Sequence, residues 1–89
     1  MDRKYTVAKQ DVAWRRVDDE VLVLHLRTGY YYSLNETGAR LWEELAAGTG
    51  FSSACAVLAR EFAVEADAAR ADAEAVLAEL CRENLLCPA

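Results

Sequence analysis

Eighty-nine residues, 54% of them apolar and 28% charged with a single proline, make one small folded domain and exclude a disordered chain. The net charge of −5 is lopsided: residues 1–34 hold six basic against five acidic side chains, net +1, and residues 35–89 hold four against ten, net −6. No apolar run is long enough for a bilayer and the charged N-terminus is not a signal peptide, so a cytoplasmic protein without membrane contact is expected.

Residues 1–11 read as a flexible polar lead-in. Residues 12–17 fit a first strand with Val12, Trp14 and Arg16 on one parity, and Asp18-Asp19 is a turn signal. Residues 21–26 are almost all apolar, as suits the middle strand of three; His25, between Leu24 and Leu26, is expected to face solvent. Arg27-Thr28-Gly29 is a hairpin-length gap ending in glycine. Residues 30–34 form an aromatic third strand at a sheet edge, with Tyr30, Tyr32 and Leu34 on one face and Tyr31 and Ser33 on the other. Tyr32 and Leu34 are assigned to the core because Leu34 leads directly into a helix.

Asn35 caps that helix, residues 36–47, whose inner side is Ala39, Leu41, Trp42, Leu45 and Ala46 and which Gly48 closes. Thr49-Gly50-Phe51 reads as a loop, and Ser52 or Ser53 as the cap of a second helix carrying Cys55, Leu58, Ala59 and Phe62 at helical spacing. A third helix spans about residues 67–83, with Ala69, Ala73, Val76, Leu77 and Leu80 as its seam and Leu85 and Leu86 packing back. Trp14 and Trp42 are expected in the core, and residues 87–89 as a tail. The class is α+β: a winged-helix-like domain, a three-stranded antiparallel sheet followed by three helices.

No catalytic constellation is present: no Gly-x-Ser-x-Gly, no glycine-rich phosphate loop and no His-Glu-x-x-His. Cys55, Cys81 and Cys87 are odd in number and widely spaced, and with one histidine they make neither a disulfide framework nor a metal site. A non-catalytic chain without metal or cofactor is expected. A winged-helix DNA binder is the sharper rival, but residues 65–84 carry six acids against Arg70 and Arg82, a net −4 that repels phosphates. Peptide capture by strand addition needs an unpaired edge and shallow pockets. The strand over residues 30–34 offers the edge. Ala68, Asp72, Ala75 and Glu79, beside the seam of the third helix, offer a wall with room for an apolar side chain and acids for a basic or hydroxyl-bearing one. The opposite flank, with Arg70, Glu74, Ala78 and Cys81, competes with it.

Trp14, Glu20, Gly29, Tyr31, Tyr32, Leu34, Asn35, Thr37, Gly38, Ala39, Trp42, Leu80, Leu85 and Leu86, in that order and spacing, resemble the PqqD-like family of leader-peptide recognition domains. Asn84 stands where the family has glycine, a mild departure because Asn also adopts the left-handed helix stop. The resemblance covers residues 12–86. It implies a stand-alone protein that binds the leader of a ribosomally made precursor peptide as an added antiparallel strand. The implied site is Gly29, Tyr30, Tyr31, Tyr32, Ser33 and Leu34 on the strand, with Ala68, Asp72, Ala75, Val76 and Glu79 on the third helix. Replacing Tyr31 or Asp72 should then weaken leader binding alone, and replacing Leu34 or Val76 should damage fold and binding together. The wording Thr-Gly-Tyr-Tyr-Tyr-Ser-Leu-Asn leans toward lasso-peptide pathways. There the implied partners are a transglutaminase-like cysteine protease that removes the leader and a cyclase resembling asparagine synthetase, and the leader carries Tyr-x-x-Pro. The alternative is pyrroloquinoline quinone synthesis, where the partner is a radical S-adenosylmethionine enzyme.

Overall fold

The computed structural model describes residues 2–89. In chain order it has β1 (Tyr5–Val7), β2 (Val12–Val17), β3 (Glu20–His25), β4 (Tyr31–Leu34), α1 (Glu36–Ala46), α2 (Phe51–Glu61), α3 (Ala66–Arg82) and β5 (Leu86–Pro88). β2, β3 and β4 form an antiparallel meander with β3 in the middle. Asp18, in the left-handed region at φ 56°, turns β2 into β3, a conformation that aspartate tolerates better than most residues. The α+β class and the three-strand, three-helix layout follow the expected pattern.

β3 decides which face of the sheet is inside. Val21, Val23 and His25 point inward, and Glu20, Leu22 and Leu24 point to solvent. His25 is therefore not the surface histidine its neighbours suggested; it is only 8% exposed. A strand that is apolar at nearly every position carries no alternation, so its phase is set by what packs beneath it. The His25 Nδ1 accepts a long hydrogen bond, 3.4 Å, from the Thr28 N–H across the β3–β4 hairpin.

The core lies between the inner sheet face and the helices, around Trp42, Phe51, Leu41, Leu45, Leu58, Val21 and Val23. Trp14 meets Trp42 edge to face, ring centroids 5.9 Å apart, but from the rim of the sheet, and it stays partly exposed rather than buried. Asn35 caps α1 as its sequence requires: its Oδ1 accepts from the Gly38 N–H at 3.0 Å. Asn84 takes the left-handed conformation, φ 60°, that ends α3 and sends Leu85 and Leu86 into the core.

α2 departs from the expected capping. It begins at Phe51, which is fully buried rather than in a loop, and neither Ser52 nor Ser53 caps it with a side chain. The Asp2 carboxylate does so from the other end of the chain, accepting from the N–H groups of Ser52 at 2.6 Å and Ser53 at 3.1 Å. These bonds, Ser52 first, hold the Asp2 carboxyl below its ordinary value of 3.8. A depressed carboxyl stabilises the fold above its unfolded value and loses that contribution as pH falls through the folded one. Asp2→Ala is thus expected to lower the thermal midpoint at neutral pH, with the difference from the parent closing in strong acid, as thermal unfolding at the two pH values will read.

Within the segments expected as flexible lead-in and tail, Tyr5–Val7 and Leu86–Pro88 are strands instead, while Met1 lies outside the described residues. β1 pairs antiparallel with β5, Tyr5 opposite Pro88 and Val7 opposite Leu86. Among the described residues, no helix is long and apolar enough to cross a membrane.

Candidate functional site

β4 pairs only with β3 among the described residues, which leaves its other edge open. The groups on that edge follow from antiparallel alternation. The His25 N–H donates to the Tyr30 carbonyl at 2.9 Å, so this opposed pair is of the bonded kind, and Val23/Tyr32 and Val21/Leu34 repeat it. The N–H and C=O groups of Tyr31 and Ser33 then point away from β3. That is the half of a ladder an incoming strand needs.

The open edge faces α3 across a cleft of about 480 Å³, with Tyr31, Tyr32, Ser33 and Leu34 on one wall and Val76, Glu79, Leu80 and Glu83 on the other. A second depression of about 320 Å³ runs on past Asn35 and Gly38 to Asp72 and Ala75. Asn35, Gly38 and Val76 line both, so the two form one groove. Gly38 is the saddle between them. A Cβ there would lie 3.4 Å from Asn35 Oδ1 and 3.5 Å from Leu34 Cβ.

At the far end the Tyr32 hydroxyl donates to Glu83 Oε1 at 2.8 Å, joining β4 to the end of α3. That hydrogen bond, then burial, raises the phenol above its ordinary value of 10.0. Raised groups keep their contribution below the unfolded value and lose it as pH climbs through the folded one, so the bridge is intact at neutral pH. Beyond it lies a wider, polar hollow lined by His25, Arg27, Thr28, Tyr30, Arg82 and Asn84. The two groove depressions carry Asp72, Glu79 and Glu83 and no lysine or arginine, which suits a guest with basic or hydroxyl-bearing side chains.

Of the residues expected at the site, Tyr31, Tyr32, Ser33, Leu34, Val76 and Glu79 line the first depression, and Asp72 and Ala75 the second. Tyr30 lies in the polar hollow. Gly29 serves the hairpin turn at φ 77°, its N–H donating to the His25 carbonyl. Ala68 is exposed and borders neither depression. The groove opens on the Asp72–Glu79 flank. The opposite flank is occupied within the fold: Glu74 pairs with Arg3 at 2.9 Å, and Arg70 lies over the Phe51 ring.

Gly38 and Glu83 are groove residues that the strip of expected positions did not contain. Both left a signal: glycine inside a helix is disfavoured and needs a reason, and Glu83 continues the spacing 72, 76, 79 along one helix face. Among the described residues no group of three His, Cys, Asp or Glu is placed to hold a metal ion.

The family model for Coenzyme PQQ synthesis protein D (PqqD) matches residues 20–86. No curated protein matches the chain. A solved structure of TbiB1 in complex with the TbiA(beta) leader peptide is 30% identical and superposes with TM-score 0.84, covering 91% of this chain and 93% of that one. Lasso peptide synthetase B1 complexed with the leader peptide superposes with TM-score 0.85 over 96% of this chain and 99% of that one; at 24% identity it attests the fold.

Proposed function

We propose that this chain, which belongs to the PqqD family, captures the leader of a precursor peptide as an added antiparallel strand on β4, in the groove against α3. It does no chemistry itself and hands the bound precursor, in the cytoplasm, to separate enzymes. The observation that carries this reading is the open β4 edge, with Tyr31 and Ser33 offering free backbone groups directly over a groove walled by α3. Main-chain bonds of this kind give affinity with little demand on sequence, while the depressions select side chains. A relative that shares 30% of its residues was solved with a leader peptide bound, which supports the class of guest.

The pathway we favour is lasso-peptide maturation, with the leader peptidase and the cyclase as receiving enzymes. A fold neighbour is a lasso peptide synthetase B1, and the Gly29–Asn35 wording points the same way. The family description supports a second reading, pyrroloquinoline quinone synthesis alongside a radical S-adenosylmethionine enzyme. A DNA-binding role fits poorly, because α3 and its flanks are acidic.

The test is a fluorescence-anisotropy titration of a labelled lasso-precursor leader peptide carrying Tyr-x-x-Pro. We expect saturable one-to-one binding, weakened about tenfold in Asp72→Ala and in Tyr31→Ala, one lost contact of about 1.4 kcal/mol each. Both residues are exposed, so circular dichroism should be unchanged. If both variants bind as tightly as the parent, the groove is not the site.

A further inference from the structure

A strand added antiparallel to β4 runs from the Leu34 end of the cleft toward Tyr31 and Tyr30, so its downstream part passes over the polar hollow. Tyr32 and Glu83 line both cleft and hollow, which makes the hollow, of about 760 Å³, a continuation of the groove. Side-chain phase carries across the ladder as well, because directly opposed residues in an antiparallel pair share a face. His25 is buried on the inner face and its N–H donates to the Tyr30 carbonyl, so Tyr30 points inward too. A guest residue opposite Tyr30 follows the same phase. It is the first inward side chain past Tyr32, and it hangs over the hollow.

The lining changes sign at this point. Cleft and second depression carry acids without lysine or arginine, whereas the hollow has Arg27 and Arg82. Their donors are unspent. Arg3, Arg16, Arg40 and Arg70 each donate a side-chain hydrogen bond to a carboxylate or hydroxyl, and among the described residues Arg27 and Arg82 donate none. The two acids of the hollow do not satisfy them. Asp11 stands 3.6 Å from Arg27, and Glu83 stands 4.0 Å from Arg82 while accepting from the Tyr32 hydroxyl at 2.8 Å. Both guanidinium side chains are mostly exposed, 75% and 68%, so they can swing to an arriving group without disturbing the fold. A planar guanidinium fork matches a carboxylate through two parallel bonds.

We propose that this hollow is a specificity subsite for an aspartate or glutamate of the guest, held by Arg27 and Arg82 just downstream of the segment paired with β4. It deepens, and rests on, the reading of the groove as a leader site. The leader thereby acquires a charge order: basic or hydroxyl-bearing side chains over the Asp72–Glu79 wall, then an acid beyond the Tyr32–Glu83 bridge. A guest laid down in the opposite direction brings its upstream part to the two arginines instead, so the subsite also selects the direction of binding.

The experiment titrates the full chain with labelled leader peptides carrying Tyr-x-x-Pro, in which one glutamate is moved residue by residue on either side of that motif, and with their glutamine counterparts. At one position downstream of the motif, glutamate is expected to bind the parent about fivefold more tightly than glutamine in dilute salt, an advantage that shrinks at about 0.5 M salt. Arg27→Gln and Arg82→Gln should each cut that advantage below twofold while leaving the glutamine peptides bound as before. Arg60→Gln, an exposed change on α2 away from the hollow, should keep it. Arg27 and Arg82 are both on the surface, so either variant decides should the other lose its circular dichroism signal. Equal affinity of glutamate and glutamine at every position overturns the subsite and leaves the groove reading standing. An advantage found only upstream of the motif overturns it too, because the guest then runs the other way. So does an equal loss in Arg60→Gln, which makes the effect one of net charge. If neither peptide series binds the parent, the groove reading itself fails and the subsite falls with it.

Discussion

Ser33→Pro is expected to weaken leader binding at least tenfold while shifting the thermal midpoint by only a few degrees. Ser33 is one of the two β4 residues whose backbone groups point away from β3, so its N–H takes no part in the existing ladder. Proline is tolerated on an edge strand when the lost N–H faces outward, and it leaves the preceding residue extended, which Tyr32 already is. For an arriving strand the change removes a main-chain donor and puts a ring in its place. The donor alone accounts for about 0.5–1.5 kcal/mol, and the displaced strand loses its neighbouring bonds as well. Tyr32→Pro is the control. Its N–H lies on the β3 side, so that variant breaks the sheet itself and should lower stability sharply. Anisotropy titrations and thermal melts of the two proteins separate them. Parent-like affinity in Ser33→Pro would falsify strand addition on this edge, whatever else the groove binds.

A second substitution should move stability and binding in opposite directions. Gly38→Ala replaces a glycine inside the first turns of α1, where alanine is favoured by roughly 0.5–1 kcal/mol. The new methyl would meet Leu34 Cβ and Asn35 Oδ1 only at ordinary van der Waals distances, so the fold should accept it and melt at a slightly higher temperature. The same methyl stands on the saddle joining the two depressions. Leader affinity is expected to drop severalfold in Gly38→Ala and at least tenfold in Gly38→Val, whose branched carbons fill the passage. Overpacking of this kind typically costs about 1–3 kcal/mol. Binding unchanged in both variants would show that the guest does not run through both depressions.

Much of this architecture can be read from local pattern. The three long strands, the Asn35 cap, the Asn84 stop and the buried seam of α3 all rest on signals within a few residues of each other. What escapes is non-local. β1 and β5 are three residues each and pair across almost the whole chain, so neither shows a period of its own. The cap of α2 comes from Asp2, fifty residues upstream of the N–H groups it serves. The inward turn of His25 escapes as well, because a strand without polar positions does not declare its phase, and packing over Trp42 and its neighbours selects Val21 and Val23 as the inward set. At the groove, spacing along one helix face found Asp72, Ala75 and Glu79. It could not say that this face, and not the Arg70–Glu74 one, looks at β4, because Arg3 and Phe51 settle that from distant parts of the chain.

The β1–β5 pair also brings Lys4 and Ala89 together, the Ala89 N–H donating to the Lys4 carbonyl at 2.9 Å. Lys4 and Ala89 are thus held together in a sheet separate from β4 and its groove. Such geometry makes the unit portable: spliced into a loop of an unrelated scaffold, it would need only a short linker on either side.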